Sequence, residues 1–272
     1  MKIAISGKGG VGKTTLSVLL ASLYVEEGKK TLLVDADPDS NLAACLGLSQ
    51  EIVNQITPIS KMKALIEERT GAKLDQTGTL FKINPQVNDI PDRFSLNFNG
   101  IKLLIMGTVE KGKSGCMCPA NTLLKNLMKE LLVKKDEVVI LDMEAGIEHL
   151  GRATAGNVDV FLVVVEPGLR SIHTAKNIQR LARDIGIKNV LIVSNKVRNE
   201  QDYSIITQEV KPLEIIGSIS YHEELIKADL MGKGILPIPN PKIKEEIENI
   251  KYMIKRSEER GEESNGKDGI QF

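Results

Sequence analysis

Neither sign of charge prevails in this sequence: Lys+Arg and Asp+Glu each number 36 in 272 residues, and the formal net charge is zero. That balance supplies no field to draw the chain to nucleic acid or to an anionic membrane, so neither is expected as a partner. The opening MKIAISGKGG lacks the apolar core of a secretion signal, and no apolar run is long enough to span a bilayer. A cytoplasmic protein is expected. Cysteine is scarce, with three residues, and in a reducing compartment they are poor disulfide candidates. Any pattern among them therefore points to metal or redox chemistry. No internal repeat divides the chain, and no Ser/Gly linker marks a domain boundary.

What is present is an alternation. KIAIS (2–6), TLLVDA (31–36), KLLIMG (102–107), EVVILD (137–142), DVFLVVVE (159–166) and NVLIVSN (189–195) read as strands buried on both faces, with EIIGSIS (214–220) as a further one. Residues 14–27, 121–133 and 171–185 read as helices between them. The pattern predicts a three-layer α/β fold, a mostly parallel twisted sheet flanked by helices. Residues 50–100 break the rhythm with prolines at 58, 85 and 91 and a helix over 60–70, and are expected to be an insertion into the same domain. Ile243, Ile247, Ile250 and Ile254 form one helical stripe. Glu245, Glu246 and Glu248 make its polar side too acidic for an anionic lipid surface, so the stripe is expected to pack onto the domain. The reading is one domain over 1–254 and a charged, disordered tail over 255–272.

Gly7, Gly12, Lys13 and Thr14 in GKGGVGKTT match G-x-x-x-x-G-K-[ST] between a strand and a helix, the setting in which that spacing makes a phosphate loop. Consecutive N–H groups from Gly7 through Thr15 would curl around phosphate oxygens, and the helix N-terminus adds partial positive charge. Lys13 would neutralise the β- and γ-phosphates, Thr14 would ligate magnesium, and Thr15 would reach the α-phosphate. Lys8 is surplus to an ordinary phosphate loop. With Gly9, Gly10 and Val11 it makes KGGVGKTT, which resembles the deviant Walker A loop of the nitrogenase iron protein, MinD, ParA and related dimeric ATPases. That resemblance implies that Lys8 crosses a nucleotide-bound homodimer to the partner's phosphates, as an arginine finger does.

Asp37 and Asp39, in DADPDSN, follow a strand end beside the phosphate crevice. The same resemblance aligns Asp37 with the residue that orients the attacking water, and Asp39 becomes a candidate for magnesium through water. Asp142 ends a buried strand, where a carboxylate is costly unless it faces a cation, and Mg²⁺ is the expected one. In NKVR (195–198), Arg198 stands where guanine-reading GTPases carry aspartate. Asn195 could still hold a purine edge, so ATP is favoured over GTP.

Cys116 and Cys118, in GKSGCMCPANT, offer two thiolates, half of a four-ligand site. Two copies facing each other across a dimer would supply four, and the ion could be Ni²⁺ or Zn²⁺. Cys45 reads as a small packing residue. His149 could touch metal or the partner but reads more readily as structural, and His173 and His222 carry no functional reading. With C-M-C, DADPDS and LDMEAGIEHLGRATA (141–155) added to the phosphate loop, the chain resembles CooC-type proteins, ATPases that help insert nickel into carbon monoxide dehydrogenase. NPQV, EPGLRSI and SNKVR extend the likeness. It implies that ATP closes a homodimer around a metal ion between the two C-x-C turns, and that hydrolysis is coupled to nickel delivery to a client enzyme. The alternatives are an iron–sulfur carrier of nitrogenase iron protein type and a MinD/ParA-like positioning ATPase.

Overall fold

The computed structural model of the chain describes residues 1–37, 41–76, 80–108, 119–133, 137–144, 155 and 157–267. Eight strands form one sheet in the order β3-β4-β2-β5-β1-β6-β7-β8. They are β1 Lys2–Gly7, β2 Thr31–Ala36, β3 Leu96–Phe98, β4 Ile101–Ile105, β5 Val138–Met143, β6 Val160–Val165, β7 Val190–Val197 and β8 Glu214–Ser220. Every neighbouring pair runs parallel except β3 with β4. The seven expected strands are all present. β3 was not anticipated; it is three residues long and lies inside the 50–100 segment, too short to give an apolar signal.

Parallel strands need covering on both faces, and alternate residues of each strand feed two separate cores. In β6, Phe161, Val163 and Val165 face one core while Val160, Leu162 and Val164 face the other. The first core is closed by α6 (Pro119–Val133), α7 (Leu169–Asp184) and α8 (Glu200–Glu209), through Leu127, Leu131, Ile172, Ile178 and Ile206. The second is closed by α1 (Lys13–Glu26), α2 (Leu42–Leu46) and the last helix α10 (Pro241–Lys267). The isoleucine stripe of α10 behaves as its spacing demands: Ile243, Ile247, Ile250 and Ile254 are all fully buried. The 50–100 segment folds as α3 (Gln50–Gln55), a 3₁₀ turn at Ile59–Lys61, α4 (Lys63–Thr70), α5 (Ile90–Phe94) and β3, with Leu65 and Ile66 joining the first core. Helix α9 is Glu223–Leu230.

One expectation fails. Disorder is expected from residue 255, yet α10 continues to Lys267. Glu, Lys and Arg are good helix formers, and once the apolar stripe has nucleated the helix they extend it. Ser257 is buried and receives the Asn189 amide at 3.3 Å, and Arg260 pairs with Glu214 at 3.1 Å, so both hold the continuation to the sheet.

Among the described residues no helix is long and apolar enough to cross a membrane.

Candidate functional site: a phosphate loop between two carboxylate strands

In a doubly wound sheet the ligand crevice lies beyond the carboxyl ends of the central strands. Here β1 leads into the phosphate loop, with β5 beside it and β2 beyond; register sets Ile5 against Asp142 and Asp142 against Asp35. A cavity of about 620 Å³ opens over these ends, lined by Gly9, Gly10, Gly12, Lys13, Thr14, Thr15 and Asp37 on the phosphate side. That volume suits a nucleotide. Ser220, which ends β8, and Tyr221 and His222 after it also line the cavity.

The loop owes its shape to two glycines. Gly12 has φ +97°, and a Cβ there would collide with the Asn195 amide. Gly7 has φ +153°, and a Cβ would lie 2.5 Å from the Val164 carbonyl oxygen. Gly12 then caps α1 with no side chain and no acidic residue in the first turn, which leaves the helix N–H groups open to an anion. Gly7→Ala is expected to abolish nucleotide binding, more than a hundredfold in affinity, while far-ultraviolet circular dichroism of the purified chain stays near wild type; titration with a fluorescent ATP analogue measures it.

Lys13 is 7% exposed, and its Nζ lies 3.8 Å from Asp37 Oδ2. Thr14 donates its hydroxyl to Asp142 Oδ2 at 2.7 Å. The other oxygen of Asp142, Oδ1, is buried and has no hydrogen-bond partner among the described residues. Burial pushes the Asp142 carboxyl up to about 7; Asp35 and Asp37 add to the rise, while the Thr14 hydrogen bond and Lys13 oppose it. An orphaned carboxylate oxygen beside a threonine hydroxyl is a donor set for a hard divalent cation. Thr14 and Asp142 therefore fit Mg²⁺, which when bound would neutralise phosphate charge.

Two residues escaped the sequence reading. Asp35 is fully buried and accepts the Asp37 N–H at 3.2 Å and the Leu42 N–H at 3.3 Å, fixing the loop that carries Asp37. Its signal was the same as that of Asp142, a carboxylate inside a buried strand. Glu166, one residue past β6, accepts Lys8 Nζ at 3.5 Å and Lys196 Nζ at 3.2 Å. Lys8 is 38% exposed.

Asn195 has a structural task besides its expected one. Its Nδ2 donates to the Val11 carbonyl at 2.7 Å and its Oδ1 accepts the Lys196 N–H at 2.8 Å, so the amide braces the phosphate loop while still lining the cavity. Elsewhere along the cavity, the Arg198 guanidinium stacks on the ring of the lining residue Tyr221, 4.5 Å from its centroid. Glu246, from α10, accepts both the N–H and the hydroxyl of Ser220 and pairs with His222 Nε2 at 2.8 Å. Cys45 is half-buried on the cavity wall, and burial pushes its thiol up to about 12, with Asp142 and Asp229 contributing, which makes it unreactive. Asp39, Cys116, Cys118 and His149 lie outside the described residues, as does most of AGIEHLGRATA.

Fold and loop together define a P-loop nucleotide-binding protein with the lysine-rich Walker A variant. The family described as CobQ/CobB/MinD/ParA nucleotide binding domain matches residues 2–235, and the chain belongs to it. An uncharacterised ATP-binding protein of Methanocaldococcus jannaschii is 49% identical over 94% of this chain and 98% of its own. The carbon monoxide dehydrogenase accessory protein CooC of Rhodospirillum rubrum is 46% identical, over 85% of this chain and 88% of its own. Among solved structures, a ParA family ATPase from Chlorobium tepidum superposes with a TM-score of 0.66 at 16% identity, covering 93% of this chain and 97% of that one.

Proposed function

We propose that the chain is an ATP-dependent metallochaperone: a homodimer that closes around a metal ion and couples ATP hydrolysis to insertion of nickel into carbon monoxide dehydrogenase. The observation that carries this reading is the 46% identity to a carbon monoxide dehydrogenase accessory protein over most of both chains, joined to a C-x-C that supplies half of a four-thiolate site.

The residues divide the work as follows. Backbone N–H groups of residues 7–15 and Lys13 hold the phosphates. Thr14 and Asp142 would hold Mg²⁺, with Asp39 through water. Asp37, positioned by Asp35, orients the water for attack on the γ-phosphate and stays paired with Lys13 until that cation turns to the phosphates. Lys8 serves the partner's nucleotide, so chemistry waits for the dimer. Ser6 donates to the Glu144 carbonyl at 2.7 Å, tying β1 to the start of the EAGIEH segment. A change at the γ-phosphate thereby has a route, from Asp142 along the chain, into that segment. Cys116 and Cys118 face their copies and bind Ni²⁺ or Zn²⁺ as cargo.

The test measures Ni²⁺ binding and oligomeric state together, with and without a non-hydrolysable ATP analogue. Wild type is expected to bind one metal per two chains, and a Cys116→Ser/Cys118→Ser variant none, a loss of at least a hundredfold in affinity. A variant that still binds one nickel per dimer overturns the thiolate bridge. Brown protein with stoichiometric iron and sulfide after anaerobic purification would favour an iron–sulfur carrier instead, and ATP-dependent co-sedimentation with lipid or DNA would favour a positioning ATPase.

A further inference from the structure

We infer that Glu166 is a positioning residue that parks Lys8 within its own subunit, and that Lys196 is the second cation that makes its release easy. The inference rests on the trans-acting role proposed for Lys8.

Glu166 stands one residue beyond the carboxyl end of β6, and its N–H donates to Ser171 Oγ at 3.1 Å, which fixes the turn into α7. Its two carboxylate oxygens are divided: Oε1 takes Lys8 and Oε2 takes Lys196. The two lysines reach it from two elements, the phosphate loop and β7. Lys8 is on that loop, whereas Lys196 arrives from β7, where the strand register shifts between Ser194 and Val197 and Lys196 adopts φ +56°. A bulge of this kind re-aims a side chain, and a left-handed lysine persists only where its surroundings hold it. What it gains is a position between Glu166 and the Gly10 carbonyl, to which Nζ donates at 2.5 Å.

A carboxylate with one lysine would be left as an unpaired, three-quarters-buried charge when that lysine departed. A carboxylate with two keeps a partner. Lys196 is anchored at Gly10 and stays, so Lys8 can swing away for the cost of a half-exposed ion pair, the weak class of salt bridge. The parked state then sets a threshold: partner phosphates must out-compete one carboxylate already shared. In nucleotide-free chain Lys8 is held by a shared carboxylate, which lowers its availability to a stray anion. The structure thus assigns Glu166 a part in timing, with no contact to the reacting atoms.

Two readouts test this in the full-length chain. Lysine acylation by an amine-reactive ester, followed by mass spectrometry on nucleotide-free protein, reads Lys8 directly. Glu166→Gln, nearly isosteric, is expected to raise the Lys8 labelling rate by about 2–5-fold, the worth of an exposed pair. Sedimentation with a non-hydrolysable ATP analogue reads the consequence. Because two lysines are released per dimer, Glu166→Gln is expected to tighten the dimer Kd by about 5–20-fold. Lys196→Gln is expected to shift it the opposite way, since Glu166 would then hold Lys8 alone. Unchanged Lys8 labelling in Glu166→Gln, or an unchanged Kd beside a Lys8→Ala variant that fails to dimerise, overturns the parking role. A Lys8→Ala variant that dimerises like wild type with the labelling change intact overturns the trans role of Lys8 instead, and with it the timing assigned to Glu166.

Discussion

Lys8→Ala is expected to lower ATP turnover by about 10³-fold or more while leaving nucleotide affinity within a few-fold of wild type. The reasoning is geometric. Lys13 and Lys8 are five residues apart on one loop, yet they occupy different environments. Lys13 is almost fully buried inside the cavity beside Asp37, where any bound phosphate must meet it. Lys8 is on the outer side of the loop, held by Glu166. A cation there cannot contribute much to the ground-state binding of its own subunit's nucleotide. It can contribute to the transition state of a partner's, and 10³-fold corresponds to about 4 kcal/mol, a reasonable worth for one well-placed charge at the γ-phosphate. Lys13→Ala should behave differently and lose affinity first. Steady-state phosphate release at saturating ATP, with affinity measured separately, distinguishes them. The wild-type specific activity should also rise with protein concentration, and a Lys8→Ala turnover within tenfold of wild type would remove the trans role.

Asp142→Asn is expected to raise the stability of the ligand-free chain at pH 8 and to abolish the extra stability that Mg²⁺ and nucleotide confer together. Burial holds the Asp142 carboxyl near 7 in the folded chain, against about 3.9 for an unfolded aspartate. A carboxylic acid whose folded value is raised favours the protonated form. Its unfavourable contribution is therefore absent below pH 4, grows as pH rises from about 4 to 7, and is complete above. Three units correspond to a ceiling of about 4 kcal/mol. The buried amide N–H₂ that asparagine introduces needs an acceptor and reduces that, leaving a Tm gain of about 4–8 °C at pH 8 in a chain of this size. At pH 4 the gain should vanish. The linkage works in reverse for the cation: Mg²⁺ needs the deprotonated carboxylate, so the wild-type Tm increase with Mg²⁺ and nucleotide should be larger at pH 8 than at pH 6. Thermal scans across that range check both halves. An Asp142→Asn chain less stable than wild type at pH 8 would mean that the carboxylate is held by something other than its burial.

Much of the fold could be read from the residues. Parallel strands buried on both faces announce themselves as uninterrupted apolar runs, and β5, β6 and β7 are such runs. The phosphate loop was equally plain, because glycines at Gly7 and Gly12 are demanded by backbone conformation and a near contact. What escaped depends on side chains that meet only in three dimensions. Asn195 reads as a purine ligand from its motif, but its bracing of the loop through Val11 and Lys196 could not be read there, since the Val11 contact spans 184 positions. Glu166 carried the same local signal as Asp142, a charge at the end of a buried strand, yet its importance comes from two lysines that no spacing rule connects to it. The helix beyond residue 255 was missed for another reason: composition alone reads a charged stretch as solvated, whereas an apolar stripe just before it had already paid the cost of nucleation.

The sheet order has one further consequence, for how the chain is made. β1 precedes every other strand of the sheet in sequence and lies in its middle, between β5 and β6. Ile3 waits for Ile140 on one side and Val160 on the other, so both edges of an apolar strand stay unpaired for more than 130 residues of synthesis. Late, distant pairings of this kind slow folding and leave sticky edges bare in the meantime. The same nascent stretch carries the phosphate loop, so the nucleotide pocket is begun with β1 and closed only when the residues at and beyond Ser220 arrive.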